Sequence, residues 1–388
     1  MKNKSTPCLQ SFTGWGFYIN GGKRGLFYKI QITIGERLMK KLQLNLIGFV
    51  VLAFLICAMM VPAASAASEI SFPVTLRGGS AQITVTIFEN PKGWCGGANI
   101  LAVHGLTGNA NTWKPLAEAM FAEPGWGRTI KRVIALDLPG HGKSPIPYNL
   151  AGGPWGNLLI DDNISVIMQT ILALQAKNMG PRVIMGHSMG GLAIQGLQEG
   201  LLKTDLSLAH LGIFRAVLLA PVPAKGAEWT QGPEADVTPF IFGTEGDPVV
   251  GQYLFIPAEY AALGTDWMDL NYITVPNRPS VEAIAAYVAP EPLYTLLQLV
   301  GRLEPLGYAR PAARQGAFNI INGTLLNLVS FSQDNLVPQA NLDALYPYLT
   351  GSPLGLFYRA IDTDDACHNM LISNPAKVAK TLKTLGPF

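Results

Sequence analysis

From residue 70 the chain runs through two β-rich stretches, SFPVTLRG and SAQITVTIFEN, joined by Gly78-Gly79, and this predicts a hairpin. Beyond it the apolar positions gather into short unbroken runs: ANILAVHG from 98, KRVIALDLPGHG from 131, PRVIMGHS from 181 and FRAVLLAPVP from 214. Helical spacing fills the gaps, around Trp113 to Phe121, Leu158 to Lys177 and Met189 to Leu202. Strands buried on both faces carry no polar alternation, and regular exchange with helices of this length predicts a parallel sheet with right-handed crossovers.

That rhythm stops at about Ala224 and resumes at about Thr324. It then closes with TLLNLVSFSQDNLVP, a helix to about Tyr348, LGLFYRAIDTDDACHN, and a last helix from Pro375 to Thr384. Residues 67–224 and 324–388 therefore form one core. Residues 225–323, rich in Pro, Gly and aromatic residues, form an insertion. Within it VEAIAAYVAPEPLYTLLQLVGR has helical spacing broken by Pro290 and Pro292, so a largely helical cap over the C-terminal edge of the sheet is expected.

The first 66 residues have a different character. Lys40 and Lys41 precede an apolar run from Leu42 to Val61, and Ala64-Ser65-Ala66 follows, the layout of a secretory signal cleaved after Ala66. Gln43 and Asn45 interrupt the run and argue against a retained span, so export to the periplasm or the exterior is expected, without a stable membrane anchor; an uncleaved signal would instead tether the protein. Residues 1–38 show no period, and Met39 directly before the lysines is the expected start. The leader holds eight Lys/Arg and one acid, so a formal net charge of +2 becomes −5 in the mature chain. No basic patch for nucleic acid remains. Cys8 and Cys57 leave with the leader. Cys95 is placed at the start of a strand and Cys367 beside the far edge, a separation of several strand residues that disfavours a disulfide between them.

The chemistry centres on Gly186-His187-Ser188-Met189-Gly190, a serine between two glycines where a strand turns into a helix. A hydroxyl needs a base to take its proton, and there are five histidines to choose from. His187 adjoins the serine and points away from it. His141, in LPGHGKS, suits a loop brace, and His210 follows a helix with nothing chemical nearby. His104, in HGLTGN, with Gly105, is better placed to hold an oxyanion loop than to act as a base. His368, in DDACHNM, remains, on a loop at the sheet's C-terminal edge. Its acid partner is expected to be Asp334, one residue past a strand end, although Asp362, Asp364 or Asp365 could substitute. Leu106 and Met189 N–H are placed to stabilise an oxyanion.

The order Ser188, Asp334, His368, with HGLTGN, DLPGHGKS and GHSMGG, resembles the α/β-hydrolase fold superfamily from about residue 96 to the C-terminus. The resemblance implies an α/β fold with an eight-stranded, mostly parallel sheet, its first strands antiparallel, and a cap inserted after the sixth strand. It implies a serine hydrolase with Ser188 as nucleophile, His368 as base, Asp334 as acid, and Leu106 with Met189 as oxyanion hole. Serine at the elbow excludes relatives that work through an aspartyl ester. A carboxylic ester with an apolar moiety is the expected small-molecule substrate; amides, thioesters and acyl transfer share the same chemistry, and a binding protein with an idle triad is the non-enzymatic alternative. Neither a metal nor a cofactor is required. Mass spectrometry of the exported protein should find Ala67 as its first residue, and that of the precursor should find a first peptide beginning at Met39; a mature protein retaining residues 42–61 would reject cleavage.

Overall fold

Strands β1 (Ser68–Leu76) and β2 (Gly79–Glu89) pair antiparallel in full register, from Ser68 opposite Ile87 to Leu76 opposite Gly79. The two turn residues are Arg77 and Gly78, both left-handed (φ 45° and 71°), so Gly79 already belongs to β2 rather than to the turn. Arg77 tolerates that conformation because its guanidinium is held by both carboxylate oxygens of Asp162 and by Asn157 O at 2.8 Å. The computed structural model describes residues 67–93, 96–126, 129–227, 238–255, 280–352, 354–386 and 388. The leader, Cys95 and two stretches of the cap lie outside the described residues.

The remaining core strands are β3 (Ala98–Val103), β4 (Ile130–Asp137), β5 (Val183–His187) and β6 (Arg215–Leu219). The cap contributes the two-residue strands β7 (Ile241–Phe242), β8 (Tyr253–Leu254) and β9 (Glu291–Pro292), and the core closes with β10 (Leu325–Phe331) and β11 (Tyr358–Ile361). The main sheet has eight strands in the order β1-β2-β4-β3-β5-β6-β10-β11, antiparallel where β2 meets its neighbours and parallel from β4 onward. β1 alternates buried and exposed positions along its second half, whereas β5 is buried throughout. An edge strand meets solvent on one face; a central parallel strand has helices on both.

Alternate residues of each strand feed two separate cores. Leu101, Val103 and Ile184 join Val166 and Ile167 of α2 (Ile160–Ala176), Leu192 and Leu197 of α3 (Met189–Leu202), and Leu342 of α6 (Gln339–Thr350). Ile100, Ala102 and Met185 join Leu116 of α1 (Lys114–Ala122), Met370 of α7 (Met370–Ser373) and Leu382 of α8 (Pro375–Thr384). The chain winds from β3 outward to β4, then returns to place β5 on the other side of β3. This reversal leaves the loops after β3 and β5 side by side at the C-terminal edge, the place where open α/β sheets bind ligands.

The cap leaves the core after β6. Its neck is closed by pairing: Lys225 N–H donates to Pro311 O at 2.9 Å and Ala313 N–H to Lys225 O at 3.3 Å. Its described residues combine the short helices α4 (Val281–Ala285) and α5 (Leu293–Leu299) with an antiparallel sheet of β7, β8 and β9. The expectation of a largely helical cap misses this sheet, because two-residue strands are too short to show a period. The interruption at Pro290 and Pro292 is real: β9 forms there and separates α4 from α5. In the core, β10 ends at Phe331, so Asp334 stands three residues past the strand rather than one.

Gln298 of α5 seats the cap on the core. Its carbonyl accepts from Ile160 N–H at 2.7 Å, and its amide donates to Asp161 Oδ2 at 2.6 Å and Ala309 O at 2.8 Å. A buried Gln298→Leu side chain would leave the first N–H of α2 without an acceptor, at a cost of about 1–3 kcal/mol. Thermal unfolding should show a Tm several degrees lower than wild type; an unchanged Tm would show that this contact does not hold the cap.

Candidate active site

Ser188 sits on the turn between β5 and α3 with φ 51° and ψ −119°, a backbone region that costs a non-glycine residue about 1–3 kcal/mol. The surrounding geometry enforces it. Ser188 N–H donates to Leu219 O at 3.0 Å, and its carbonyl accepts from Gly191 N–H at 2.9 Å and Val222 N–H at 3.2 Å. The flanking glycines are required by space: a Cβ on Gly190 would lie 2.4 Å from Val103 O, and one on Gly186 would lie 2.7 Å from Gly190 O. The turn is therefore pressed onto the end of β3, and the hydroxyl stands at the N-terminus of α3.

The loop after β3 lies against the serine. A Cβ on Gly105 would come within 3.0 Å of both Ser188 Cβ and His187 Nδ1. Gly105 O accepts from the His104 ring at 2.8 Å and from Gly108 N–H at 3.1 Å. Because a trans peptide is planar, holding the Gly105 carbonyl this way turns Leu106 N–H to the opposite side. Neither Leu106 N–H nor Met189 N–H donates to any described residue. Main-chain donors away from water are nearly always paired, so two unpaired ones, on half-buried Leu106 and on buried Met189 at the start of α3, form a natural seat for negative charge.

His368 and Asp334 come together on the loops that follow β11 and β10. His368 Nδ1 donates to Asp334 Oδ2 at 2.7 Å, while Asp334 Oδ1 accepts from Leu336 N–H at 2.9 Å and Val337 N–H at 2.8 Å. The carboxylate is thus fixed by its own turn before it meets the ring. His368 is tied a second time through its main chain, since His187 Nε2 donates to His368 O at 2.9 Å. That bond carries the His368 loop to the residue before Ser188. Of the alternative acids, Asp362 and Asp364 are exposed, and Asp365 binds Thr363 Oγ1 and Asn374 Nδ2 in its own loop. Ser188 makes no side-chain hydrogen bond to a described residue, and Oγ is available.

The other histidines are held by main-chain partners or by caps. Burial, and next the charge of His368, pushes the His187 pKa well below the ordinary value, so the ring is neutral. His104 donates from Nδ1 and accepts Leu138 N–H at Nε2, 3.3 Å away, which makes it neutral too; burial, then His141, pulls its pKa down to about 3. His210 closes a capping box with Ser207. His141 differs: Nδ1 faces Pro139 O at 3.1 Å and Nε2 faces Glu291 Oε2 at 3.1 Å, so both nitrogens meet acceptors and the ring is suited to the imidazolium form. Cys367 is a free, buried thiol, 3.4 Å from Ser373 Oγ, its pKa pushed up to about 11 by burial.

Glu291 is the residue that sequence reasoning misses. It is wholly buried on β9, and its Oε2 accepts from both His141 and Thr107 N–H, the latter at 2.9 Å. The signal that could have found it is a single carboxylate between two prolines in an otherwise apolar stretch, AYVAPEPLYTLL.

The alpha/beta hydrolase family matches residues 100–381. Lipase LipV of Mycobacterium tuberculosis is 28% identical over 270 residues, which cover 63% of this chain and 89% of the lipase. A serine hydrolase-like protein of Dictyostelium discoideum is 41% identical over 117 residues, 29% of each chain. In fold the chain is similar to an N-acyl homoserine lactonase crystallised with N-hexanoyl homoserine, at a TM-score of 0.53 and 16% identity over 82% of this chain and 95% of that one.

The His141–Glu291 pair has a pH signature. Burial lowers the His141 pKa, but the adjacent Glu291 carboxylate, with help from Pro139 O and Asp137, outweighs it, and the folded-state value lies above 6.5. The charged groups facing the ring are Glu291 from the cap and Asp137 from β4, with the neutral His104 ring tilted at 41° to it, 4.8 Å between centroids. A raised folded-state pKa gives stability that is fully present below 6.5 and lost as pH rises through the folded value. The Tm of wild type relative to Glu291→Gln should accordingly be greatest near about pH 6 and shrink at higher pH; a pH-independent difference would mean that the pair is not ionised.

Proposed function

Since this chain is a member of the alpha/beta hydrolase family, we propose that it is a serine hydrolase that cleaves a carboxylic ester through an acyl-enzyme on Ser188. The observation that carries the reading is His368, with Nδ1 committed to Asp334 and its main chain bound to His187, the residue before Ser188. Such a ring keeps Nε2 as its proton acceptor and lies on the loop tied to the elbow.

In the acylation step His368 Nε2 takes the Ser188 proton as Oγ attacks the ester carbonyl carbon. The tetrahedral oxyanion rests on Leu106 and Met189 N–H, and Asp334 stabilises the imidazolium. The imidazolium then gives its proton to the departing alkoxide, and the alcohol leaves. Water, deprotonated by the same ring, attacks the acyl-enzyme, and the imidazolium returns that proton to Ser188 Oγ as the acid leaves. His187 and His104, both neutral, cannot compete as acids at neutral pH, and each holds a loop that presents one of the reacting parts.

The roof of the site supports an apolar moiety in the substrate. Phe240, Leu254, Leu293 and Leu296 of the cap form a cluster of their own, and the Leu106 side chain packs against it. An acyl chain reaching Leu106 from the cap side would meet hydrocarbon. The mycobacterial relative is named a lipase, which agrees with an ester of this kind. The secretory-signal layout, Lys40-Lys41, the apolar run Leu42 to Val61 and Ala64-Ser65-Ala66, supports an activity outside the cytoplasm.

Fluorophosphonate labelling of the mature protein tests the reading. Wild type should label at Ser188 and Ser188→Ala should not. Asp334→Asn, which favours the wrong tautomer of His368, should lower kcat by about 10³–10⁴-fold on p-nitrophenyl esters. Wild type without label rejects the serine hydrolase; label that survives Ser188→Ala rejects the nucleophile. A series of ester chain lengths set beside aminoacyl anilides and acyl thioesters then identifies the preferred acyl compound.

A further inference from the structure

We propose that Glu291 is a positioning residue for the oxyanion hole, so that the cap, and not only the core, sets the aim of Leu106 N–H. The proposal rests on the serine hydrolase reading and adds a residue from outside its triad and its donors.

Leu106 lies between two peptide planes. The plane before it is held from the core, where the His104 ring and Gly108 N–H bind Gly105 O. The plane after it is held from the cap, where Thr107 N–H donates to Glu291 Oε2 at 2.9 Å. The cap also holds the far side of Thr107, whose carbonyl accepts from Ala289 N–H at 2.7 Å. Asn109 and Asn111 continue the seam, their side-chain amides donating to Ala286 O at 3.0 and 3.2 Å. The cap segment 286–291 therefore lies along loop 107–111 and is bonded to it at four points.

Thr107 has φ 56°. A β-branched residue avoids this left-handed region, and such a conformation persists only where its surroundings impose it. Ala289 and Glu291 supply that imposition. With planarity transmitting each constraint, Leu106 has little torsional freedom left, and its N–H is fixed before an oxyanion forms. Donors that need no reorganisation during reaction are those that stabilise the transition state best.

The use of a carboxylate for this task is informative. Glu291 has no exposed surface, and burying a carboxylate is costly unless it is paired. His141, 1% exposed and braced by Pro139 O, supplies the opposite charge. A charge-assisted bond to a main-chain N–H is shorter and stronger than a neutral one, so the ion pair strengthens the hold on Thr107. Glu291 Oε1 has no partner among the described residues, which leaves the carboxylate's bonding concentrated on the Oε2 contacts with His141 and Thr107.

Two variants separate positioning from packing. Glu291→Met keeps the bulk and removes the acceptor; Glu291→Gln keeps an acceptor oxygen. With a p-nitrophenyl ester, Glu291→Met should lower kcat by about tenfold or more, short of the 10²–10³-fold typical of losing an oxyanion donor outright, with KM within about threefold of wild type. The Ki of an alkyl trifluoromethyl ketone, whose hemiketal oxyanion occupies the same donors, should rise in parallel with the loss in kcat/KM, and Glu291→Gln should recover most of both. Wild-type kcat in Glu291→Met, or a loss confined to KM with Ki unchanged, overturns the proposal. Should Glu291→Met fail to fold, hydrogen exchange in the wild type decides: a slowly exchanging Thr107 amide is expected, and exchange as fast as that of an exposed loop overturns it. Wild type that labels with fluorophosphonate while Glu291→Met keeps full kcat rejects only the role of Glu291; wild type that takes no label rejects the serine hydrolase reading, and this role with it.

Discussion

The contact between the turn after β5 and the end of β3 governs the rest of the molecule. Gly190 approaches Val103 and His104 so closely that any side chain there would collide with main-chain oxygen. That approach is possible only because the winding of the sheet reverses between β3 and β5, which makes these two strands neighbours and sets their following loops edge to edge. Ser188, Leu106 and Met189 are brought together by it. The strain at Ser188 is maintained by the same packing, since its main chain is bonded to β6 and to the segment that follows it.

Around this contact the protein sorts four buried histidines by the partners it gives them. His187 and His104 face carbonyls through one nitrogen, are deeply desolvated, and remain neutral. His368 has a carboxylate at one nitrogen. His141 has acceptors at both and is suited to carrying charge. His187 and His104 on one side and His141 on the other thus favour different forms of the same ring because of what lies opposite each.

Much of this was legible in the sequence, for reasons that can be named. PRVIM and ANILAV read as buried strands because they are unbroken apolar runs between helical stretches, and the helix from Met189 to Leu202 follows its glycine turn directly. The position of His368 after the last strand was visible for the same reason. Which acid would meet it was harder: Asp334 lies three residues past β10, and loop geometry alone distinguishes it from Asp362, Asp364 and Asp365. Glu291 was out of reach, because its partners His141 and Thr107 are 150 and 184 residues away in sequence. The cap sheet was equally hidden, its strands being two residues long.

The closed neck of the cap has a consequence for how such a chain can change. Lys225 is paired with Pro311 and Ala313, so the insertion begins and ends at one point on the core surface. The entropy of closing a loop grows only slowly with its length once its ends are fixed together. Residues between the neck positions can therefore be lengthened, shortened or replaced at little cost to the sheet beneath. Besides the Gln298 contact with α2, the seam from 286 to 291 is an exception: an exchanged cap that lacks it would leave the sheet in place and Leu106 unsupported. The roof can diversify where it touches neither the loop after β3 nor the start of α2, which Gln298 holds.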